Sequence, residues 1–193
     1  MVDKSYQIRW GQLADISAIG EIEHAADRLF PAGRIPVAEE DVAPSLRHTR
    51  KPTPPPWGIA LLKQALAEDL LFVAQETNKI VGFAVCSIHR RFLHLHQVSV
   101  HPDRGRKGIG RALIQTVLAE SEQRHLQGVT LTTFSDIPWN APFYERLGFR
   151  VMNEKELSPE LRTYLKQEQH LGLVNRVAMI FDNQQQQPAV DYQ

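Results

Sequence analysis

Apolar residues recur along this chain at two spacings, and each spacing assigns elements. Within residues 14–30, Ile16, Ile19, Ile22, Ala26 and Leu29 fall three or four apart, one stripe of an amphipathic helix with Asp15 near its start. Residues 108–124 keep the same period, with Ile109, Leu113 and Val117 on one row and Ile114 and Leu118 on the next. Three other runs are near-continuous and rich in β-branched and aromatic residues: 70–76, 80–89 and 93–100. They read as strands, the first two joined by Thr77-Asn78-Lys79, a hairpin signal. Shorter strands are expected at 6–10, 129–134, 149–152 and 176–181. Further helices are expected at 58–68, at 140–147 with Asn140 as N-cap and Pro142 in the first turn, and from Ser158-Pro159-Glu160 to about His170. The order β-α-loop-α-β-β-β-α-β-α-β-α-β predicts a single α/β domain, a mixed central β-sheet flanked by helices.

Residues 31–57 break the pattern. They hold seven of the chain's 12 prolines and end in Pro54-Pro55-Pro56-Trp57. Proline lacks the amide donor and disfavours helix in the residue before it, so a long irregular loop is expected. The polar stretch 184–193 is expected to be a disordered tail, which bounds the domain at 1–183.

Composition adds exclusions. The 22 Lys+Arg and 22 Asp+Glu residues balance, so no global charge favours nucleic acid or an anionic membrane as partner. The start MVDKSYQIRW carries no apolar signal core, and runs such as 80–86 are too short to span a bilayer; a cytoplasmic protein is the expectation. Cys86 stands alone in an apolar strand, so it forms no intrachain disulfide and reads as a core residue. The oligomeric state, a homodimer included, is left open.

Candidate chemistry concentrates in VSVHPDRGRKGIGRAL. A strand ends at Val100, a basic turn follows, and a helix starts near Gly108. The first amides of a helix have no intrahelical acceptor, and its dipole adds positive potential there. Glycines let a diphosphate approach the backbone, and Arg106, Lys107 and Arg111 add cationic donors. A dinucleotide fingerprint does not fit, because Leu113 stands where its third glycine belongs.

The same segment resembles the acetyl-CoA signature of the GNAT superfamily, Q/R-x-x-G-x-G/A. Gly108, Ile109 and Gly110 fit its last positions, while Gly105 stands where Gln or Arg is usual, between Arg104 and Arg106. The resemblance implies acetyl-CoA as acyl-donor cosubstrate. It assigns the pyrophosphate to 106–111 and the pantetheine arm to backbone groups of Val98 and Val100. NAPFYERLGF, residues 140–149, resembles the second superfamily signature and matches Tyr144 to the tyrosine near the cofactor sulfur. Amine attack on a thioester expels a thiolate whose conjugate acid has a pKa of about 8.5, and a phenol of pKa about 10 can hydrogen-bond it. A packing role beside Phe143 is the alternative. Asn140 is either a cofactor contact or a plain N-cap.

His94 and His96 stand two apart on the strand before the turn, so both side chains share a face. HLHQVSVH resembles the histidine-bearing strand of the serotonin (arylalkylamine) N-acetyltransferases, where such histidines help carry the proton off the substrate amine. An alkylamine of pKa about 10.4 is roughly one part in a thousand neutral at pH 7, a deficit of about 4–5 kcal/mol. A histidine titrating near 6.5 can take that proton. Structural burial and a metal pair are the competing readings, and no Cys-x-x-Cys or His-Glu-x-x-His pattern accompanies them; no metal is expected. In this fold the loop after the first helix borders the acceptor. The proline-rich 31–57 thus becomes a substrate-side loop, with Phe30, Trp57 and Trp139 as apolar walls and Asp136 to attract an ammonium. Packing of the loop and capping of a turn are the alternatives for these four.

The reading is acetyl transfer from acetyl-CoA to a small primary amine, an arylalkylamine by local resemblance. A polyamine, amino acid or protein amine as acceptor is the alternative within the fold. A non-catalytic acyl-CoA sensor is the alternative outside catalysis.

Overall fold

The computed structural model describes residues 5–35 and 58–186. Residues 36–57, with Trp57 among them, and 187–193 lie outside the described residues. Seven strands form one sheet in the order β1-β2-β3-β4-β5-β7-β6. They are β1 (Gln7–Trp10), β2 (Leu71–Glu76), β3 (Lys79–His89), β4 (Phe92–Val100), β5 (Gly128–Phe134), β6 (Arg150–Val151) and β7 (Arg176–Asp182). The helices are α1 (Ile16–Asp27), α2 (Gly58–Ala67), α3 (Ile109–Gln123), α4 (Ala141–Glu145) and α5 (Pro159–His170). Every strand pair is antiparallel except β4 with β5. A parallel pair needs a crossover, and α3 supplies it.

The elements lie where the hydrophobic pattern puts them, with departures at the ends. α1 stops at Asp27, so Leu29 falls off the predicted stripe and is exposed, while Ile19, Ile22 and Ala26 are buried. Residues 183–186 form a 3-10 turn, where the sequence suggests disorder from 184. Ser158 caps α5, accepting from the Leu161 amide at 3.2 Å, with Pro159 following.

Residues Leu71–Ala74 of β2 and Val81–Ser87 of β3 are buried without alternation, because helices cover both faces of the sheet. Ile109 of α3 lies against Gly82, and Tyr164 of α5 lies on His94, which pairs with Ser87. Gly82 and Ser87 are five apart on β3, so α3 and α5 sit on opposite faces. Cys86 is fully buried, and burial pushes its thiol well above the usual range, in agreement with a core role. Gly128 is required by close approach: a Cβ there would meet the Phe181 carbonyl oxygen of β7 at 2.0 Å.

The feature that opens the site is the parting of β4 and β5. Their pairing runs from Phe92↔Gly128 to Leu95↔Leu131 and then ends. β4 continues to Val100 beside β3, and β5 continues to Phe134 beside β7. A bulge in β4 at His96 marks the divergence, since Cys86 pairs with Leu95 but Val85 with Gln97.

Candidate active site

Among the described residues, the parted strands leave one edge of β4 without a partner strand. The His101 amide bonds to the Val81 carbonyl of β3 at 2.9 Å. Backbone groups of successive strand residues point to alternate sides, so Ser99 also faces β3, and Val98 and Val100 turn theirs toward the gap. Those are the two positions that the sequence assigns to an extended ligand.

The basic turn lies at the end of this edge. Gly108 is the N-cap of α3 with φ of 80°, a left-handed conformation open to glycine, and Arg106 is left-handed as well, at 59°. Two left-handed residues around Lys107 curl the backbone into the kind of concavity that gathers amides around an anion. The Ala112 amide is the first of the helix to bond back, to the Gly108 carbonyl at 2.9 Å. The amides of Ile109, Gly110 and Arg111 therefore lack helical acceptors. Arg106, Lys107 and Arg111 are exposed and make no hydrogen bond or ion pair with the described residues. Arg104 differs: its guanidinium is bound to Glu76, which also accepts from Ser5 at 3.1 Å. It ties the turn to the β2–β3 hairpin, while Arg106 stays exposed beside Gly105.

The helix that carries Tyr144 is brought to the same place through Phe143. A Cβ on Gly110 would touch Val100 at 3.7 Å and Phe143 at 3.9 Å, so the end of β4, the start of α3 and α4 meet there. The Tyr144 ring packs on Phe143 and Phe149, and its hydroxyl has no hydrogen-bond partner among the described residues. Burial pushes the phenol up to about 12, against the opposing charge of Arg176. Such a phenol stays protonated at neutral pH and is able to donate a hydrogen bond. Asn140 occupies the N-cap of α4, but its side chain makes no capping bond; its carbonyl accepts from Phe143 and Tyr144. The N-cap reading thus holds for its backbone only.

The paired histidines lie on the α5 face. His94 is 3% exposed, hydrogen-bonds through Nδ1 to the Thr130 hydroxyl at 3.0 Å and stacks on Tyr164 at 4.6 Å. His96 is half-buried, with Nε2 2.7 Å from the Ser87 hydroxyl. Burial, with repulsion from His96 and His89, holds His94 well below its ordinary range; burial and His89 lower His96 to about 4. The expectation of a histidine titrating near 6.5 is thereby corrected. Both rings are neutral at physiological pH, and the cause is lost hydration. His89, Ser87 and Tyr164 join this cluster without having been singled out in the sequence. A usable signal existed, since the Arg90-Arg91 turn of the β3–β4 hairpin sets Ser87 opposite His94. Among the described residues, no three His, Cys, Asp or Glu are placed to hold a metal ion.

The acceptor walls are corrected in part. Asp136 is not free to attract an ammonium, because it pairs with Arg34 and accepts from Asn175 Nδ2 at 2.8 Å. Phe30 packs on Phe134 at 5.7 Å, under the Arg34 guanidinium, which lies 4.9 Å from the Phe134 ring. Those three elements form a clamp at the entry of the proline-rich segment. Trp139 is 49% exposed.

The parting of β4 from β5, the glycine-led start of α3 and the helix α4 come together at Gly110. The chain belongs to the acetyltransferase (GNAT) family, whose model matches residues 37–149. It is 33% identical over 97 residues to an uncharacterized N-acetyltransferase of Methanocaldococcus jannaschii, covering 47% of this chain and 42% of that protein. It is 32% identical over 98 residues to glucosamine 6-phosphate N-acetyltransferase of Trypanosoma brucei brucei, covering 47% of this chain and 64% of that protein. These matches span less than two thirds of either relative. The fold resembles PaiA N-acetyltransferase from Thermoplasma acidophilum in complex with coenzyme A, with a TM-score of 0.59 at 15% identity over 92% of this chain and 98% of that one.

Proposed function

We propose that the chain transfers the acetyl group of acetyl-CoA to a small primary amine by direct attack in a ternary complex. The observation that carries this is the meeting of three elements at Gly110: the open edge of β4, the start of α3 with its free amides and nearby cations, and α4, which carries Tyr144 beside Phe143. Residues 106–111 hold the pyrophosphate, Val98 and Val100 pair with the pantetheine amides, and Tyr144 donates to the departing sulfur. The acceptor we assign is an arylalkylamine, on the resemblance of the His94–His96 strand. An assay with acetyl-CoA and a panel of arylalkylamines, polyamines, amino acids and amino sugars tests it. Turnover confined to another class replaces the acceptor, and no turnover with tight acetyl-CoA binding makes the domain a sensor.

Tyr144→Phe is expected to lower kcat by about ten-fold or more and leave acetyl-CoA affinity nearly unchanged. An unchanged kcat, with chemistry rate-limiting, reduces Tyr144 to packing.

His96, lowered to about 4, and His94, held well below its ordinary range, act as acceptors that do not store charge. The desolvation that weakens them as bases also acts on an ammonium entering beside them, so the gap between the two narrows. In wild type, kcat/KM stays level well below the amine's pKa, because the enzyme takes the ammonium and removes its proton. The double variant His94→Gln/His96→Gln has to wait for neutral amine, and its acidic limb moves up toward the amine's own pKa. A folded double variant with the wild-type profile removes the histidines from the reaction.

One observation favours a second proton acceptor. Glu23 of α1, which packs on β3 and β4, is 6% exposed, and its side chain has no hydrogen-bond partner among the described residues. Burial, aided by Asp27, raises its carboxyl to about 8, near the optimum for a general base at neutral pH.

A further inference from the structure

Beneath the paired histidines lies a file of hydrogen bonds that acetyl transfer itself does not require. Ser87 Oγ is 2.7 Å from His96 Nε2 and 2.8 Å from His89 Nε2. Tyr164 Oη is 2.7 Å from that same His89 nitrogen. Ser87 is 2% exposed, so water does not compete for its hydroxyl. His89, at the other end, borders a cavity of about 490 Å³ that Arg90, His94, Glu160 and Tyr164 also line. Glu160 Oε2 is buried there with no hydrogen-bond partner among the described residues.

We propose that Ser87 and His89 carry the acceptor's proton from His96 out to this cavity, with the Tyr164 ring, packed edge-on against His89 at 5.7 Å, keeping that ring in line and its hydroxyl sharing the Nε2 lone pair with Ser87. The proposal rests on the acetyl-transfer reading above, which supplies the proton. A neutral imidazole has one N–H and one lone pair, and a serine hydroxyl has one proton. Set between two Nε2 atoms, Ser87 donates to one ring and accepts from the other. The outward arrangement has His96 protonated on Nε2 and His89 on Nδ1, which leaves His96 Nδ1 free to face the amine. The ammonium N–H bond breaks and its proton goes to His96 Nδ1. The Nε2 proton of His96 passes to Ser87 Oγ, and Ser87's own proton passes to His89 Nε2. The Nδ1 proton of His89 leaves to water in the cavity. One proton enters and one leaves while the acceptor fills the site; once product has gone and water enters, a proton returning through His89 Nδ1 and one leaving His96 Nδ1 restore the starting tautomers.

Charge around the file suits transit over storage. His89 is faced by His94 and His96 from β4, Tyr164 and Glu160 from α5, Arg90 from the turn, and Glu68 beyond α2. Burial lowers its basicity, and the two carboxylates oppose that. A proton reaching His89 therefore meets the opposing pull of the Glu160 and Glu68 carboxylates, with two neutral rings behind it.

Ser87→Ala cuts the file and spares both rings; His89→Ala opens its outer end. With an amine that wild type acetylates, both changes are expected to lower kcat at pH 7 about ten-fold. KM for acetyl-CoA should not move, and the deficit should shrink near pH 10, where the amine arrives neutral. Millimolar imidazole should restore part of the His89→Ala activity, because the ring fits the vacated space, and should do nothing for Ser87→Ala. Ring 15N shifts should place the proton on Nε2 of His96 and on Nδ1 of His89 in wild type. If both variants keep the wild-type kcat and pH profile while His96→Gln loses them, the relay is overturned and acetyl transfer stands. The opposite tautomers also overturn it. A wild type that acetylates no amine overturns both readings.

Discussion

Gly108→Asp is expected to abolish the thermal stabilisation that acetyl-CoA gives the wild-type protein. Ligand at about a hundred times its Kd stabilises a native state by about 2.7 kcal/mol. For a chain of this length that raises Tm by roughly 5–10 °C. Gly108 is exposed and has φ of 80° at the head of α3. An aspartate there takes on a left-handed backbone, costing about 1–2 kcal/mol, and sets a carboxylate where the pyrophosphate has to sit. Circular dichroism checks that the variant folds, and differential scanning fluorimetry with and without acetyl-CoA reads the shift. An equal shift in both proteins, or none in wild type at millimolar acetyl-CoA, removes the turn from cofactor binding.

Glu23→Gln is expected to raise stability at pH 8 by a few kcal/mol and to flatten its pH dependence. The sign follows from proton linkage. Burial holds the folded carboxyl at about 8, whereas an unfolded glutamate titrates near 4.5. Between those values the unfolded chain sheds a proton that the native state keeps. Wild type therefore loses stability as pH rises from about 4.5 to about 8, and glutamine, which mimics the neutral acid, does not. Asp15 works in the opposite sense. Burial raises its carboxyl, but Arg9 at 2.8 and 2.9 Å and the Gln12 amide at 2.8 Å overcome that and hold it below its usual range. Its contribution is present above the unfolded pKa and is lost as pH falls through the folded one. Tm against pH for both proteins measures the Glu23 effect, and parallel curves refute it. If Glu23 is the general base, the stabilised variant also loses activity, the usual exchange of stability against function.

Local chemistry made much of this molecule legible before any coordinates. The 3.6-residue period of α3 and the apolar runs of β2, β3 and β4 place the central sheet and its crossover, because burial on these elements is decided by neighbours in sequence. Gly108 was legible for a similar reason, a strand end and a helix start lying within eight residues. What stayed hidden depends on distant pairings. Arg34 neutralises Asp136 from 102 positions away, and Tyr164 reaches His89 across 75. The basicity of His94 and His96 was misjudged for the same cause, since α5 buries them and no local pattern reports how α5 docks. Leu29 shows a milder failure: the stripe continued in sequence after the helix had ended.

The parting of β4 from β5 leaves a strand edge inside a sheet. On the outside of a protein such an edge invites another polypeptide to add itself. Here it faces β5 across a gap, with α3 on one face of the sheet and α5 on the other. A polypeptide entering the gap would bring a side chain to each face at alternate residues, straight into those covering layers. The pantetheine arm carries two amides, and its branches, two methyls and a hydroxyl, are gathered at the end nearest the pyrophosphate, leaving the stretch toward the sulfur unbranched. It offers strand-like bonding without the girth of a strand. In the proposed complex the sheet admits a thread and refuses a ribbon, a discrimination made by backbone spacing before any charge on the turn takes part.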